Sequence, residues 1–216
     1  YREKSGSDIT LFVHPNAHPH DSDLVEVDSN DIVVGFHPYP HDPNLCLRNL
    51  VNAALYILKK DCLEAYSKPL GQVIDFGKHV FPELLRSGVK ISAYNSPEYI
   101  KDCGTPDRLD AAIGDFESGK IKNSNLSVKQ KVIFLDRDGT INQEVGHLKD
   151  KSQLALLDNV PDAIRLINQS EYRCVVITNQ PVIARGDCSF AEIEEIHNSL
   201  EMKLGENGSY IDRIYY

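Results

Sequence analysis

Lys131-Val-Ile-Phe-Leu-Asp-Arg-Asp-Gly-Thr-Ile-Asn142 decides how this sequence is to be read. The apolar run Val132 to Leu135 predicts a buried strand. It runs straight into Asp136, Arg137, Asp138, Gly139 and Thr140. Open α/β sheets bind ligands at the carboxyl ends of their strands, where these two carboxylates fall. Gly139 permits a sharp turn directly after them. The pattern suits phosphoryl transfer through an aspartyl-phosphate, with Asp136 as nucleophile and Asp138 as general acid and base. A polar strand-to-loop turn is the plain alternative. A calcium loop fits poorly, since an EF-hand needs Gly at its sixth position and Glu at its twelfth. Counting from Asp136, Gly139 is fourth and His147 twelfth.

Downstream the pattern continues as strand, helix, strand, helix, strand, the signature of a parallel α/β sheet. Asp158 or Asn159 is placed to cap a helix with Pro161 in its first turn, and Val160, Ala163, Ile164 and Ile167 form its inward stripe. Cys174 to Thr178 predicts the next buried strand, ending on Thr178-Asn179-Gln180. Ser189 to Glu192 reads as a capping box opening a helix that turns Ile193, Ile196, Leu200 and Leu204 inward. Ile211 to Tyr216 predicts a third strand, an edge open to pairing. If the first two strands are neighbours, Thr178 is placed to donate to a phosphoryl oxygen beside Asp136. Oxygen ligands and a phosphate suit Mg2+.

Upstream, Ile9 to Val13 predicts a strand, and Leu24 to Val27 with Ile32 to Phe36 a hairpin around Asp28 to Asp31. The loop between them, His14-Pro-Asn-Ala-His18-Pro-His20, invites a metal reading. Its two prolines and lack of helical spacing favour a rigid solvated loop. Leu50 to Leu58 predicts a buried strand whose lone polar residue, Asn52, needs a backbone or ligand partner. Phe76 to Arg86 predicts a helix capped by Asp75, with Gly88 past its end, and Val89 to Tyr94 a returning strand. Thr105 and Pro106 open a further helix, which leaves Asp102 and Gly104 at the turn before it. Ordinary capping chemistry accounts for those residues on spacing alone. Glu117 to Ser127 is small, polar and aperiodic, so a linker is predicted over residues 118–130 between a first domain (1–117) and a second (131–216).

Composition narrows the function. With 23 basic and 32 acidic residues the net charge is −9, unlike a general binder of nucleic acid or anionic membrane. No apolar run approaches the ~20 residues of a membrane span, and no signal peptide opens the chain. The five cysteines form no C-x-x-C pair, which fits free thiols and a cytoplasmic location. The chain opens on Tyr1 and its single methionine is Met202, so a natural start codon is not expected at Tyr1.

Two resemblances follow from these residues. Ser7-Asp-Ile-Thr-Leu11, Asp21-Ser-Asp-Leu24, Asn52-Ala-Ala-Leu-Tyr56, Asp75-Phe-Gly77, Phe81-Pro-Glu-Leu-Leu85 and Tyr99-Ile-Lys-Asp-Cys-Gly-Thr-Pro106 resemble the C-terminal half of sugar-1-phosphate nucleotidyltransferases. The mannose- and heptose-1-phosphate guanylyltransferase group is the most similar. The resemblance implies Asp102 as a ligand of catalytic magnesium, Asn52 as a sugar contact, and a nucleoside triphosphate as co-substrate. Phe36-His37-Pro38 stands where that family often has Glu-Lys-Pro, and its phosphate-cradling Gly-rich loop would precede Tyr1.

The second half resembles the haloacid-dehalogenase superfamily through Phe134 to Asn142, Val176-Ile-Thr-Asn-Gln180, Ile183-Ala-Arg-Gly186 and Ile214-Tyr-Tyr216. Heptose 1,7-bisphosphate phosphatases and histidinol-phosphate phosphatases are its most similar members. The resemblance implies a Rossmann-like parallel sheet following a partial nucleotidyltransferase mixed sheet. It implies Asp136 and Asp138 as catalytic groups that contact Mg2+, Asp138 through its backbone carbonyl. Arg137, Glu144, Val145, Gly146 and His147 would meet the substrate, with Thr178, Asn179, Gln180 and Pro181 opposite. That family's bracing Lys, third metal-binding Asp and Zn2+ loop would lie after Tyr216, so the 216 residues alone are expected to turn over little or no substrate. Histidinol phosphate is a competing substrate, and a sugar-phosphate-binding module without turnover a competing class; the fused first half favours a sugar.

Overall fold

A computed structural model describes residues 5–42, 45–66 and 73–216. Two compact units divide at Ser96 and Pro97. In the first, a five-stranded mixed sheet among the described residues comprises β1 (Ile9–His14), β2 (Leu24–Val27), β3 (Val33–His37), β4 (Val51–Leu58) and β5 (Ile91–Asn95), in the order β3-β2-β4-β1-β5. β1 runs antiparallel to β4 and parallel to β5. β2 and β3 form the expected hairpin, with Asp28 Oδ1 accepting from the amides of Asn30 and Ile32. Ile9, Leu11 and Val13 pack with Phe81, Leu84 and Ile91 in the core.

β4 departs from expectation. It is half-exposed, with Leu55 at 54 % and Ile57 at 62 %, because only one of its faces meets the core. Ala54 sits at φ 55, and the register with β1 shifts across it. A side chain held in the left-handed region costs roughly 1–2 kcal/mol. The following helix also splits. Phe76–Val80 is a π-turn, and only Phe81–Arg86 (α1) is α-helical. Pro82 explains the break, since it has no N–H to offer the carbonyl four residues back. Asp75 caps the turn as expected, accepting from the Lys78 amide at 2.8 Å.

The second unit holds α2 (Pro106–Glu117), α3 (Lys120–Asn123), β6 (Lys131–Leu135), α4 (Val160–Gln169), β7 (Tyr172–Ile177), α5 (Pro181–Ala184), α6 (Phe190–Glu206) and β8 (Arg213–Tyr215). Residues 118–130 are not the featureless linker expected. They carry α3, and the Gln130 side-chain amide donates to the carbonyls of Asn123, Asn125 and Val128. α2 groups with this unit: Tyr99 donates to Asp115 at 2.8 Å, and Lys120 approaches the same carboxylate.

β6, β7 and β8 form a parallel sheet in that order among the described residues. α4 and α6 contribute Ile164, Ile193, Ile196, Leu200 and Leu204 to the core beneath it, together with Cys174 and Val176 of β7. Ala163 of the expected α4 stripe is exposed instead. Burial pushes the Cys174 thiol up to about 12, and Cys188, also buried, is raised as well. The opposite face of the sheet shows Phe134, Ile177 and Tyr215 to solvent, each more than half exposed.

Candidate active site

β6 and β7 are hydrogen-bonded neighbours, Leu135 opposite Val176, so their carboxyl ends meet. Asp136 leaves β6 and Thr178 leaves β7 side by side on a cleft of about 240 Å3. Asp138 and Glu144 line the cleft as well, as do Asn179 and Gln180. Gly146, His147 and Pro181 complete the set of sequence-predicted residues that reach it.

The turn after β6 is wound tightly on one carbonyl. The amides of Thr140, Ile141 and Asn142 all donate to the Arg137 oxygen, and the Gly139 amide returns to the Asn142 oxygen at 2.8 Å. Gly139 takes φ +73, a conformation side chains resist. The winding leaves Asp136 exposed, its Oδ1 holding one bond at 2.7 Å from the Arg137 amide. Asp138 is clamped instead. Arg137 grips it with two bonds, 3.1 Å from Nε and 2.8 Å from Nη2, and Asn142 and Gln180 donate at 3.0 and 3.1 Å. Burial pushes the Asp138 carboxyl up, but the bonds from Arg137, Asn142 and Gln180 outweigh it and hold the group below its ordinary value. Thr178 is buried, and its Oγ1 accepts from Gln180 Nε2 at 2.8 Å. Its own hydroxyl proton is therefore left to donate into the cleft.

Two expected substrate contacts do not reach the cleft. Arg137 is fully buried and lies beneath Asp138, bonded also to Gln180 Oε1 at 2.8 Å and His197 Nε2 at 3.1 Å. Desolvating a guanidinium demands such a set of acceptors, and meeting them turns the side chain away from the cleft. Val145 is 45 % exposed and is not part of the lining. Asn142 and Arg185 stand in the motifs that carry the second resemblance but were given no role, and His197 was not named, although it interrupts the apolar stripe of α6, the place to look for a buried polar partner. Arg185 donates to His147 Nε2 at 2.7 Å.

Neither Asn52 nor Asp102 is among the residues that line the cleft. Asn52 belongs to the first unit, where its Oδ1 accepts from the Ala54 amide at 3.2 Å and a Cβ on Gly77 would come within 3.0 Å of its Nδ2. Asp102 belongs to the second, is ion-paired with Arg108, and accepts from the Gly104 amide at 2.8 Å. Among the described residues no group of three or more His, Cys, Asp or Glu side chains is disposed to hold a metal. His18 of the three-histidine loop pairs with Asp21 at 2.8 Å. No described helix is long and apolar enough to cross a membrane.

His197 makes the site acid-sensitive. Burial, reinforced by the charge of Arg137, pushes its imidazole down to about 3. The folded chain thus refuses a proton that the unfolded chain takes near 6.5, so this stabilisation is complete above pH 6.5 and is lost as pH falls toward 3. Denaturant titrations should show wild type losing about 2–3 kcal/mol more than His197→Gln between pH 7.5 and 4.5. Parallel losses would show that His197 does not carry the effect. Asp138, depressed from 3.8, loses its own contribution only at lower pH.

Comparison with known proteins gives this geometry its relatives. The cleft lies in the second unit, and among the proteins similar to this chain are phosphatases. The D-glycero-D-manno-heptose-1,7-bisphosphate 7-phosphatase of Chlorobaculum tepidum is 39 % identical over 87 residues, 40 % of this chain and 44 % of that protein. The Salmonella typhi D-glycero-beta-D-manno-heptose-1,7-bisphosphate 7-phosphatase is 39 % identical over 84 residues, 39 % of this chain and 45 % of that protein. A solved D,D-heptose 1,7-bisphosphate phosphatase from B. bronchiseptica, complexed with magnesium and phosphate, is 32 % identical with a TM-score of 0.39, covering 40 % of this chain and 49 % of that one. The chain spans a little under half the length of these curated relatives. The family model described as Nucleotidyl transferase matches residues 1–118. More than half of the 216 residues being matched, the chain belongs to the nucleotidyl transferase family, and another part of it is similar to heptose-1,7-bisphosphate phosphatases.

Proposed function

We propose that the second unit is part of a magnesium-dependent phosphatase that acts on a sugar bisphosphate, D-glycero-D-manno-heptose 1,7-bisphosphate, through an aspartyl-phosphate. The fused first segment would then serve a sugar-1-phosphate nucleotidyltransferase that activates the product for glycan synthesis. The observation that carries the reading is the pairing of an exposed Asp136 with a clamped Asp138 in one cleft, Thr178 beside them.

Asp136 attacks phosphorus, and the bond to the leaving sugar oxygen breaks. Asp138 gives that oxygen its proton. Water then attacks the acyl phosphate while Asp138 takes the water's proton, so Asp136 returns as carboxylate and phosphate leaves. Thr178 donates its hydroxyl to a phosphoryl oxygen as charge develops there. The depressed Asp138 rests as a carboxylate, and an arriving phosphate, itself anionic, drives it toward the acid form. Mg2+ fits the residues present. Asp136 is exposed with a single hydrogen bond, while the Asp138 carboxylate is already spent on four, so Asp136 and the Asp138 main chain would hold the ion. When bound it would neutralise phosphoryl charge.

The test is phosphate release from the bisphosphate by the complete protein, its phosphatase region extended to the relatives' full length. Turnover that falls by ~10²-fold or more under chelation, and returns with magnesium, is the expected result. Binding of the sugar bisphosphate without any phosphate release would overturn the enzymatic reading.

A further inference from the structure

Arg137 reaches in two directions. On one side its Nε and Nη2 grip Asp138 at 3.1 and 2.8 Å. On the other its Nη1 lies 3.1 Å from Nε2 of His197 on α6, sixty residues along the chain. Arg137 is completely buried and His197 is 5 % exposed. A guanidinium can only donate, so the ring accepts at Nε2 and carries its proton at Nδ1. Burial and the charge of Arg137 keep the imidazole in the neutral form that can accept.

The ring is itself held in place. α6 starts at the Ser189 capping box, and Ile193, Ile196 and Leu200 around His197 are fully buried. The Tyr216 ring stands edge-on to the imidazole, with centroids 4.6 Å apart. Nε2 is thus a fixed point on a packed helix. Asp138, by contrast, sits in the turn after β6, and its side chain takes its direction from Arg137, Asn142 and Gln180. Arg137 also directs the Gln180 amide. Its Nη2 donates to Gln180 Oε1 at 2.8 Å, which leaves Nε2 of that amide to donate to Asp138 and to Thr178. The placing of one guanidinium therefore sets both Asp138 and the amide that contacts Thr178.

We propose that His197 is a positioning residue for phosphoryl transfer: by holding the far nitrogen of Arg137 it fixes the plane of the Asp138 carboxyl, and so the line along which that group passes its proton. The inference rests on the phosphatase reading and adds to it a residue that is no part of the cleft lining. In the step concerned an Asp136 oxygen bonds to phosphorus and the bond from phosphorus to the sugar oxygen breaks. The proton of Asp138 moves to that oxygen, which leaves poorly as an alkoxide. A carboxyl gripped on both oxygens has little freedom to turn, so the grip sets its aim. Without the acceptor on α6, Nη1 is a buried donor that has lost its partner, and the guanidinium shifts to find another. Asp138 and Gln180 shift with it.

The test compares the complete protein with its His197→Leu and His197→Gln variants on heptose 1,7-bisphosphate and on para-nitrophenyl phosphate. Nitrophenolate departs without a proton, so only the sugar substrate depends on the acid. kcat/KM covers the steps up to phosphorylation of Asp136, where the acid acts. Any unfolded fraction of a variant lowers both values alike and cancels in their ratio. His197→Leu keeps the bulk and removes the acceptor, and should lower the ratio of bisphosphate to nitrophenyl kcat/KM about 10–100-fold. His197→Gln, whose side-chain oxygen can take the Arg137 bond, should keep the wild-type ratio. A ratio unchanged in His197→Leu, or lowered equally in both variants, overturns the proposal and leaves the phosphatase reading standing. Wild type that releases phosphate from neither substrate overturns both.

Discussion

Asp136→Asn should abolish phosphate release from the complete protein, lowering it by ~10⁴-fold or more. An amide is a very poor nucleophile for phosphorus, and groups that act as one catalytic unit lose nearly everything with a single member. The variant keeps its structure. Asp136 holds one internal bond, from the Arg137 amide, which an asparagine oxygen can accept equally well. Unfolding should therefore coincide with wild type while turnover disappears. The decisive measurement is single-turnover trapping of phosphorylated protein, present in wild type and missing in the variant. Phosphate release at the wild-type rate would remove Asp136 from the reaction.

Arg137→Ala should act in the opposite sense, on stability first. The side chain is fully buried and joins Asp138, Gln180 and His197. Removing one partner of a buried ionic cluster strands the others and typically costs about 3–5 kcal/mol. In a unit of this size each kcal/mol lowers the melting temperature by a few degrees. Calorimetry should show the second unit melting well below its wild-type temperature. A shift smaller than that of a typical surface substitution would mean that the cluster adds nothing to the fold. Arg137→Lys should recover little, since an ammonium cannot reproduce the two-bond grip on Asp138.

Much of this was legible in the sequence because it rests on short-range rules. The capping box at Ser189 and the stripe of Ile193, Ile196, Leu200 and Leu204 are local patterns, and the structure has them where the patterns place them; the run into Asp136 is a strand as expected but not a buried one, Phe134 being 62 % exposed on the uncovered face of the sheet. Thr178 beside Asp136 needed one further premise, that β6 and β7 are neighbours, and the parallel register supplies it. What stayed hidden depends on contacts distant in sequence. The resemblance implies Arg137 as a substrate contact, yet His197, sixty residues away, offers an acceptor that accompanies its burial. The exposure of β4 likewise follows from which face of a strand finds a partner. A polar segment such as 118–130 looks featureless until Gln130 is seen closing three carbonyls at once.

The buried thiols carry a consequence for oxidative conditions. Thiolates, not thiols, react with peroxide, and Cys174 and Cys188 are both held toward the thiol form, away from the cleft lining. On the proposed reaction the nucleophile is a carboxylate, so these buried sulfurs would not be part of it. Oxidants that silence cysteine-dependent phosphatases would pass this cleft by and meet the exposed Cys103 first.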